Sequence, residues 1–153
     1  MAKQTKSSLI VIQAGLAVVI LVLAYFLYDA ITSPWAAVEH QHALTAETRE
    51  RMDDVRVALR RFEEANGRFP QTIDSLAQFV RTDSILASNP DSIFGATFNP
   101  DSFLYSARHP KMFEYSLNDT SRVKIYLLKD PDSDDHIGSA QPDITQLHAA
   151  SWE

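Results

Sequence analysis

The chain has 153 residues, no cysteine and a formal net charge of −6 at pH 7. The lack of cysteine excludes disulfides, thiolate metal sites and cysteine nucleophiles. The acidic balance, without a run of Lys and Arg that could follow a phosphate backbone, argues against a nucleic-acid partner.

The sequence also lacks the usual catalytic motifs. It has only four glycines and contains no G-x-S-x-G, H-E-x-x-H or glycine-rich phosphate loop. His109, His136 and His148 have no acidic or nucleophilic partner at a recognisable spacing. The sequence therefore predicts a protein that is not an enzyme and has no small-molecule substrate.

The first predicted element is a transmembrane helix over residues 9–28, whose one strongly polar side chain is Gln13. As a helix, this uncharged segment is long enough to cross a hydrocarbon core of about 30 Å. A cleaved signal peptide is the alternative. Its apolar region is normally about 7–15 residues long, so the length favours an uncleaved anchor.

Positive charge sets the expected orientation of this helix. Lys3 and Lys6 precede it, and the next Lys or Arg after it is Arg49. The positive-inside rule places the basic residues 1–8 in the cytoplasm and residues 29–153 outside. We therefore expect a single-pass protein of an inner membrane with a periplasmic or extracellular domain.

The outer domain is predicted to begin with a long amphipathic helix. Ser33 can cap it and Pro34 suits its first position. Met52, Val55, Leu59 and Phe62 form an apolar stripe at helical spacing. The other face is charged and predicted to be solvated; it carries Arg49, Arg51, Asp53, Arg56, Arg60, Glu63 and Glu64.

A corner follows this helix. Asn66-Gly67 offers a residue that accepts positive φ and ends the helix, and Pro70 prevents a direct continuation. Phe69 is expected to enter the core, and Thr72 to cap a second, short helix. The predicted buried stripe of that helix comprises Ile73, Leu76, Ala77 and Val80.

The rest of the chain predicts a loop and a small sheet. Residues 83–100 are rich in Ser, Asn, Asp and Pro and predict a loop with one short turn of structure. Strands are predicted over 102–107, 112–117 and 122–128, the last with Val123, Ile125 and Leu127 alternating. The short connectors make them antiparallel, and residues 129–153 are acidic and irregular. The predicted class is α+β, with the long helix packed on a sheet of three or four strands.

The corner "ALRRFEEANGRFPQTIDSLAQFV" resembles the same region of type II secretion major pseudopilins and of related type IV pilin-like proteins. The matching positions are Phe62, Asn66, Gly67, Arg68, Phe69, Pro70, Thr72, Leu76 and Phe79. The order of a loop, a small sheet, an acidic loop and a terminal Trp is similar too. The resemblance implies a pseudopilin-like outer domain. It also implies a structural role in a secretion or pilus-type apparatus, through self-assembly or through other membrane subunits.

The N-terminus departs from the family pattern. Family precursors have a basic leader and a Gly before the cleavage point, then a Glu near the start of the apolar helix. Here no Gly precedes Leu9, and Gln13 falls where the Glu belongs. The alternative is therefore an unprocessed accessory subunit that stabilises a different membrane complex.

Residues 130–135 offer a candidate cation site. Asp130, Asp132 and Asp134 alternate in an irregular loop, as oxygen ligands around calcium can. A solvated acidic loop is the alternative, and an EF-hand is excluded because the sixth position is Asp135 and the twelfth is Gln141. The resemblance implies calcium at this place, with Asp143 as a further ligand.

Gln13 and Gly15 are the candidate contact residues of the membrane helix. Small and polar side chains mark helix–helix contacts in lipid. Both lie in the first third of the apolar segment, so we predict that a partner helix packs there.

Overall fold

The computed structural model describes residues 3–120 and 123–153. Contacts divide the chain into two compact units, Met1–His42 and Ala43–Glu153. The elements in chain order are α1 (Lys3–Asn66), α2 (Ile73–Thr82), α3 (Ser84–Ser88), α4 (Pro90–Ile93), β1 (Glu114–Asn118), β2 (Ile125–Lys129), β3 (His136–Gly138) and a 3-10 helix (Ile144–Gln146).

The first unit is dominated by an apolar part of α1. Leu9–Ile31 has a mean hydropathy of 2.7 over 23 residues and buries none of its side chains within the chain. At about 1.5 Å per residue, it is long enough to cross a membrane. The predicted apolar helix is confirmed to this extent, and it extends three residues past the predicted end.

The predicted helix start at Ser33-Pro34 is wrong. The backbone of α1 is helical from Lys3 to Asn66 and passes through both residues; their side chains lie outside the described part of the chain. An internal proline removes one helical hydrogen bond and costs about 3 kcal/mol. Many turns of helix on either side outweigh that single loss, whereas the sequence pattern alone favoured a new start.

In the second unit, the predicted stripe of α1 forms the centre of the core. Met52, Val55 and Leu59 are 0 % exposed, and Phe62 packs against the same cluster while partly buried. Thr48 extends the stripe by one turn. Its hydroxyl donates to the carbonyl oxygen of Leu44 at 2.8 Å, which satisfies a polar group that is fully buried.

The corner after α1 is confirmed in detail. α1 ends at Asn66, and Gly67 takes a φ of +67°, which glycine adopts without the steric cost of a Cβ. Phe69 is 2 % exposed, and the Tyr115 hydroxyl donates to the Pro70 carbonyl at 2.8 Å. Thr72 caps α2 by accepting a hydrogen bond from the Ser75 N–H.

The segment between α2 and the sheet contains more helix than predicted. Two short helices, α3 and α4, replace the single turn expected in residues 83–100. Asp83 caps α3 by accepting from the N–H groups of Ile85 and Leu86, and Pro90 occupies the start of α4. Because these helices are only five and four residues long, their apolar spacing is too short to give a periodic signal.

The sheet has three antiparallel strands in the order β1-β2-β3. Two of them agree with the predicted strands to within three residues at each end, although Arg122 lies outside the described residues. The strand predicted over 102–107 is absent; that stretch contributes only a bridge between Tyr105 and Met112. The third strand, β3, lies instead in the acidic segment predicted to be irregular.

The core-facing side of β2 also differs from the predicted alternation. Tyr126 and Leu128 belong to the core cluster, whereas Leu127 lies on the other side and is half-buried. Ile125 is fully buried but lies outside that cluster. Four consecutive apolar residues give no alternation from which the inward face could be chosen. The α+β class with one small antiparallel sheet is nevertheless confirmed.

Candidate functional site

The connection between β2 and β3 contains three of the four predicted calcium ligands, Asp130, Asp132 and Asp134. We call Asp130–Asp135 the aspartate loop. Asp130 is 0 % exposed, its N–H donates to the Asp135 carbonyl at 3.0 Å, and its Oδ2 accepts from the Ser133 hydroxyl at 2.7 Å. Because paired strands fix both ends, the loop turns tightly and places its carboxylates in defined positions.

Two arginines neutralise the buried end of this loop. Arg108 pairs with Asp130 and also reaches Asp135 at 3.1 Å. Arg49, from α1, binds Asp135 through its Nε at 3.1 Å and its Nη2 at 2.9 Å. This two-pronged geometry is the one that a guanidinium makes with a carboxylate. Burial raises the pKa of Asp135, but the hydrogen bonds from Arg49 and Arg108 outweigh it and leave the pKa below its ordinary value.

Two basic side chains, Lys111 and His109, contact the exposed end of the loop. Lys111 Nζ lies 2.6 Å from Asp132 Oδ1, and His109 Nδ1 lies 3.3 Å from Asp132 Oδ2. The hydrogen bond from Lys111 lowers the pKa of Asp132. His109 therefore has an acidic neighbour, contrary to the sequence analysis, which could not see a pairing across 23 residues of chain.

The other two predicted ligands do not join this group. Asp134 is exposed, and its carbonyl oxygen lies 2.8 Å from the ring nitrogen of His136. Asp143 caps the 3-10 helix, where it accepts from the N–H and the hydroxyl of Thr145. Those hydrogen bonds lower the pKa of Asp143.

Among the described residues, the carboxylates of the aspartate loop do not converge as a set of metal ligands. Calcium requires about 6–8 oxygen ligands. Within the described residues, no group of three or more His, Asp or Glu side chains could hold a metal ion. One buried oxygen, Asp130 Oδ1, lacks a hydrogen bond, but Arg108 already supplies positive charge to that carboxylate. The calcium site therefore stays a prediction from the sequence.

Three arginines of α1 bind other parts of the domain, which corrects the predicted solvated face. Arg51 donates to the Tyr105 carbonyl at 3.0 Å, and the guanidinium of Arg49 lies 5.2 Å from the ring centroid of Trp152. Arg56 pairs with Glu153 at 2.8 Å. A charged residue on a predicted helix can face solvent or bind a polar partner that is distant in sequence, and the local pattern is the same in both cases.

A partly buried polar pair joins β2 to the C-terminal segment. The Tyr126 hydroxyl and His148 Nδ1 are 2.9 Å apart. Burial, together with the nearby charges of Arg60 and Arg56, lowers the pKa of His148 to about 4. The lowered pKa favours a neutral imidazole at pH 7, and its contact with Tyr126 joins the tail to β2.

The remaining predicted site residues divide between the two units. In the corner, Phe62 packs edge-to-face on Phe79 with ring centroids 4.9 Å apart, and Leu76 is fully buried. Gln13 is exposed, and a Cβ added at Gly15 would meet nothing within 4 Å. The surface around Gly15 is thus open along α1, and the contact with a second helix stays a prediction.

The sequence analysis missed a cavity of about 150 Å³ on the second unit. We call it the acidic cavity. Glu47, Glu50 and Asp54 line it from α1, and Phe103 is part of its wall. The signal in the sequence is the spacing of 3 and 4 residues between these acids, which places them on one side of a helix.

The described part of the chain thus holds one neutralised acidic loop and one acidic cavity with fewer partners. No protein-family model, curated protein or solved structure matches the chain.

Proposed function

We propose that this chain is a non-enzymatic, single-pass membrane protein whose outer domain is a structural subunit of a secretion or pilus-type apparatus. The observation that carries the proposal is the exposed apolar surface of Leu9–Ile31. Val11, Leu21 and Tyr28 are each 70 % exposed, and their neighbours are similar. A soluble chain would leave this surface in water at a high cost, whereas a bilayer would cover it.

The corner supports the pseudopilin-like part of the proposal. Gly67, Phe69 and Pro70 reverse the chain after a long helix and bring α2 onto the same core. A small antiparallel sheet and a tail held against α1 follow. This order of elements agrees with the pseudopilin resemblance, and in this proposal the outer domain supplies surfaces for assembly.

A specific observation favours a second candidate. Gln13 stands where pseudopilins carry a Glu, and no Gly precedes Leu9. An amide cannot supply the negative charge that pairs with a neighbouring subunit's amino terminus. The alternative is an unprocessed accessory subunit that stabilises another membrane complex.

Membrane insertion is tested first, with the full chain expressed in bacteria and extracted with carbonate. An Ile20→Arg variant places a charge at the middle of the apolar segment, where it costs about 2.5–3.5 kcal/mol. Ala37→Arg, outside the segment, is the matched control. We expect the wild type and the control to stay in the membrane fraction and Ile20→Arg to be reduced there. Recovery of the wild type as a soluble protein, or of a chain lacking the apolar segment, would overturn the proposal.

Partners are tested next, by affinity purification in a mild non-ionic detergent with intact-mass measurement. Co-purifying secretion or pilus subunits, with a mass that shows processing before Leu9, would support the first candidate. A stoichiometric place in a different complex, with an unprocessed chain, would support the second. A monomer without partners would contradict both.

A further inference from the structure

Asp54 occupies an unusual position in the acidic cavity. The residue is 8 % exposed, and its carboxyl lines the cavity. Among the described residues, none forms a hydrogen bond or an ion pair with it. The other two acids are engaged: Glu47 lies 2.6 Å from Arg51, and Glu50 accepts from the Thr97 hydroxyl at 2.7 Å. A largely buried carboxyl without a protein partner is disfavoured in its charged form, and its place at the cavity wall leaves it open to a ligand.

The electrostatics of the cavity favour a cation. Three acidic side chains and one guanidinium line it, and the guanidinium of Arg51 is already bound to Glu47 and to the Tyr105 carbonyl. Burial, with further contributions from Glu50 and Asp53, raises the pKa of Asp54 to about 7. Among the described residues, no positively charged side chain therefore pairs with Asp54 in the cavity.

Geometry argues against a metal as that cation. Glu47 and Asp54 are seven residues apart on α1, which separates them by about 10 Å along the helix axis. Calcium oxygen ligands lie about 2.3–2.6 Å from the ion, so Glu47 and Asp54 are too far apart on the helix to belong to one compact set of ligands. Consistent with this, the described side chains include no metal-binding group.

A primary ammonium group fits better. It carries three N–H donors and needs only two or three acceptors. Glu50 and Asp54 are one helical turn apart, a spacing at which side chains are neighbours. Ser102 and Asn99 add polar atoms to the wall, and the buried ring of Phe103 provides an apolar surface for an alkyl stem. The volume of about 150 Å³ suits a short alkylammonium group rather than a large ligand.

We propose that the acidic cavity binds a primary alkylammonium group, with Asp54 as its buried counter-ion and Glu50 as a second acceptor. The ligand is either a small free amine or a lysine side chain presented by a partner protein. This goes beyond the proposed assembly role, and it adds a ligand to a chain for which the sequence predicted no small-molecule substrate.

The test is calorimetric titration of the full chain in a non-ionic detergent at pH 8, which is above the raised pKa of Asp54. The probes are n-butylammonium chloride and a capped Gly-Lys-Gly peptide; the same peptide with an acetylated lysine is the negative control. We expect saturable binding of at least one charged probe and none of the acetylated peptide. Tighter binding of butylammonium would identify a free amine, and tighter binding of the lysine peptide would identify a protein partner.

Variants decide whether Asp54 is responsible. Asp54→Asn keeps the shape and removes the charge, and we expect a loss of affinity of about tenfold or more, because a charge-assisted hydrogen bond is lost. Glu50→Gln should weaken binding by a smaller factor. Asp101→Asn is the matched control, because Asp101 is exposed and pairs with Arg81 outside the cavity. Equal affinities of wild type and Asp54→Asn, or no saturable binding of either charged probe, would overturn the proposal.

Discussion

The aspartate loop and the acidic cavity both gather carboxylates, but they differ in what stands opposite them. In the loop, Arg108 pairs with Asp130, and Arg49 binds Asp135. In the cavity, Asp54 is almost as buried as those residues and has no cationic partner among the described residues. The comparison teaches that buried acids serve two purposes in this domain. Paired acids fix the fold, and an unpaired acid leaves room for a ligand.

Removing Arg108, the cation that pairs with Asp130 of the loop, should have the largest effect on stability. Arg108→Ala leaves Asp130 buried and uncompensated. Breaking a buried ion pair from one side costs about 3–5 kcal/mol. We therefore expect a large fall in the melting temperature of the full chain in detergent, measured by circular dichroism at pH 7.

The matched control for this prediction is Arg81→Ala. Arg81 pairs with Asp101, but the two side chains are 59 % and 79 % exposed, and exposed pairs contribute about 0–1 kcal/mol. Adding Asp130→Asn to Arg108→Ala should restore part of the loss, because it removes the uncompensated charge. If the two arginine variants melted at the same temperature, the loop would not depend on its buried pair.

The parts of the fold that follow from local chemistry could be predicted from the sequence. The stripe of Met52, Val55 and Leu59, the positive φ at Gly67 and the cap at Thr72 each depend on residues a few positions apart. Propensity and spacing act over that range. The loop acids were recognised for the same reason, since they are adjacent in the chain.

What the sequence did not predict depends on long-range pairing. The arginines of α1 meet partners as many as 97 residues away, as Arg56 meets Glu153, and no local pattern encodes that choice. β3 is only three residues long and is held by its pairing with β2, with Leu128 opposite Ile137. Asp54 was missed because its isolation results from the packing of residues 97–103 against α1.

Replacing Asp54, the unpaired acid, should have the second-largest effect on stability, and this effect should depend on pH. The pKa of Asp54 is raised from 3.8 to about 7, so the native state binds this proton more tightly than the unfolded state does. The contribution of Asp54 to stability therefore decreases as pH rises from about 4 to about 7 and is constant above that. Asp54→Asn should be more stable than wild type at pH 8, by on the order of 2–4 kcal/mol.

The measurement is the melting temperature of both proteins at several values between pH 4 and pH 8. The advantage of Asp54→Asn should shrink towards zero near pH 4. Asp101→Asn, whose carboxyl is exposed, should follow wild type throughout. An Asn variant less stable than wild type at pH 8 would mean that the carboxylate has a partner after all.

His148 should give a smaller effect of opposite sign. Its pKa is lowered from 6.5 to about 4, so its contribution to stability is complete above pH 6.5 and is lost as pH falls through about 4. In wild type this loss overlaps the gain from Asp54. In Asp54→Asn the gain from Asp54 is absent. We therefore expect the free energy of unfolding of this variant to fall by about 1–2 kcal/mol as the pH is lowered from 6.5 to 4.

The double variant Asp54→Asn, His148→Gln separates the two groups. Glutamine stays neutral and can still accept from the Tyr126 hydroxyl. Its melting temperature should change less over this range than that of Asp54→Asn alone. His42→Gln is the control, because His42 is exposed and takes no part in the contact between Tyr126 and His148. If the melting temperature of the double variant fell with decreasing pH as steeply as that of Asp54→Asn, the loss of stability would be due to a group other than His148.

The smallest expected effect is that of calcium on the aspartate loop. A site with a Kd of about 10⁻⁴–10⁻³ M would stabilise the domain by about 1.4–2.7 kcal/mol in 10 mM calcium, which raises the melting temperature by several degrees. Because Arg108 and Lys111 already engage Asp130 and Asp132, we expect no difference between calcium and a chelator. Magnesium at the same concentration controls for ionic screening. A calcium-specific rise in melting temperature that disappears in Asp132→Asn would contradict this expectation. It would mean that calcium displaces Lys111 from the Asp132 carboxylate.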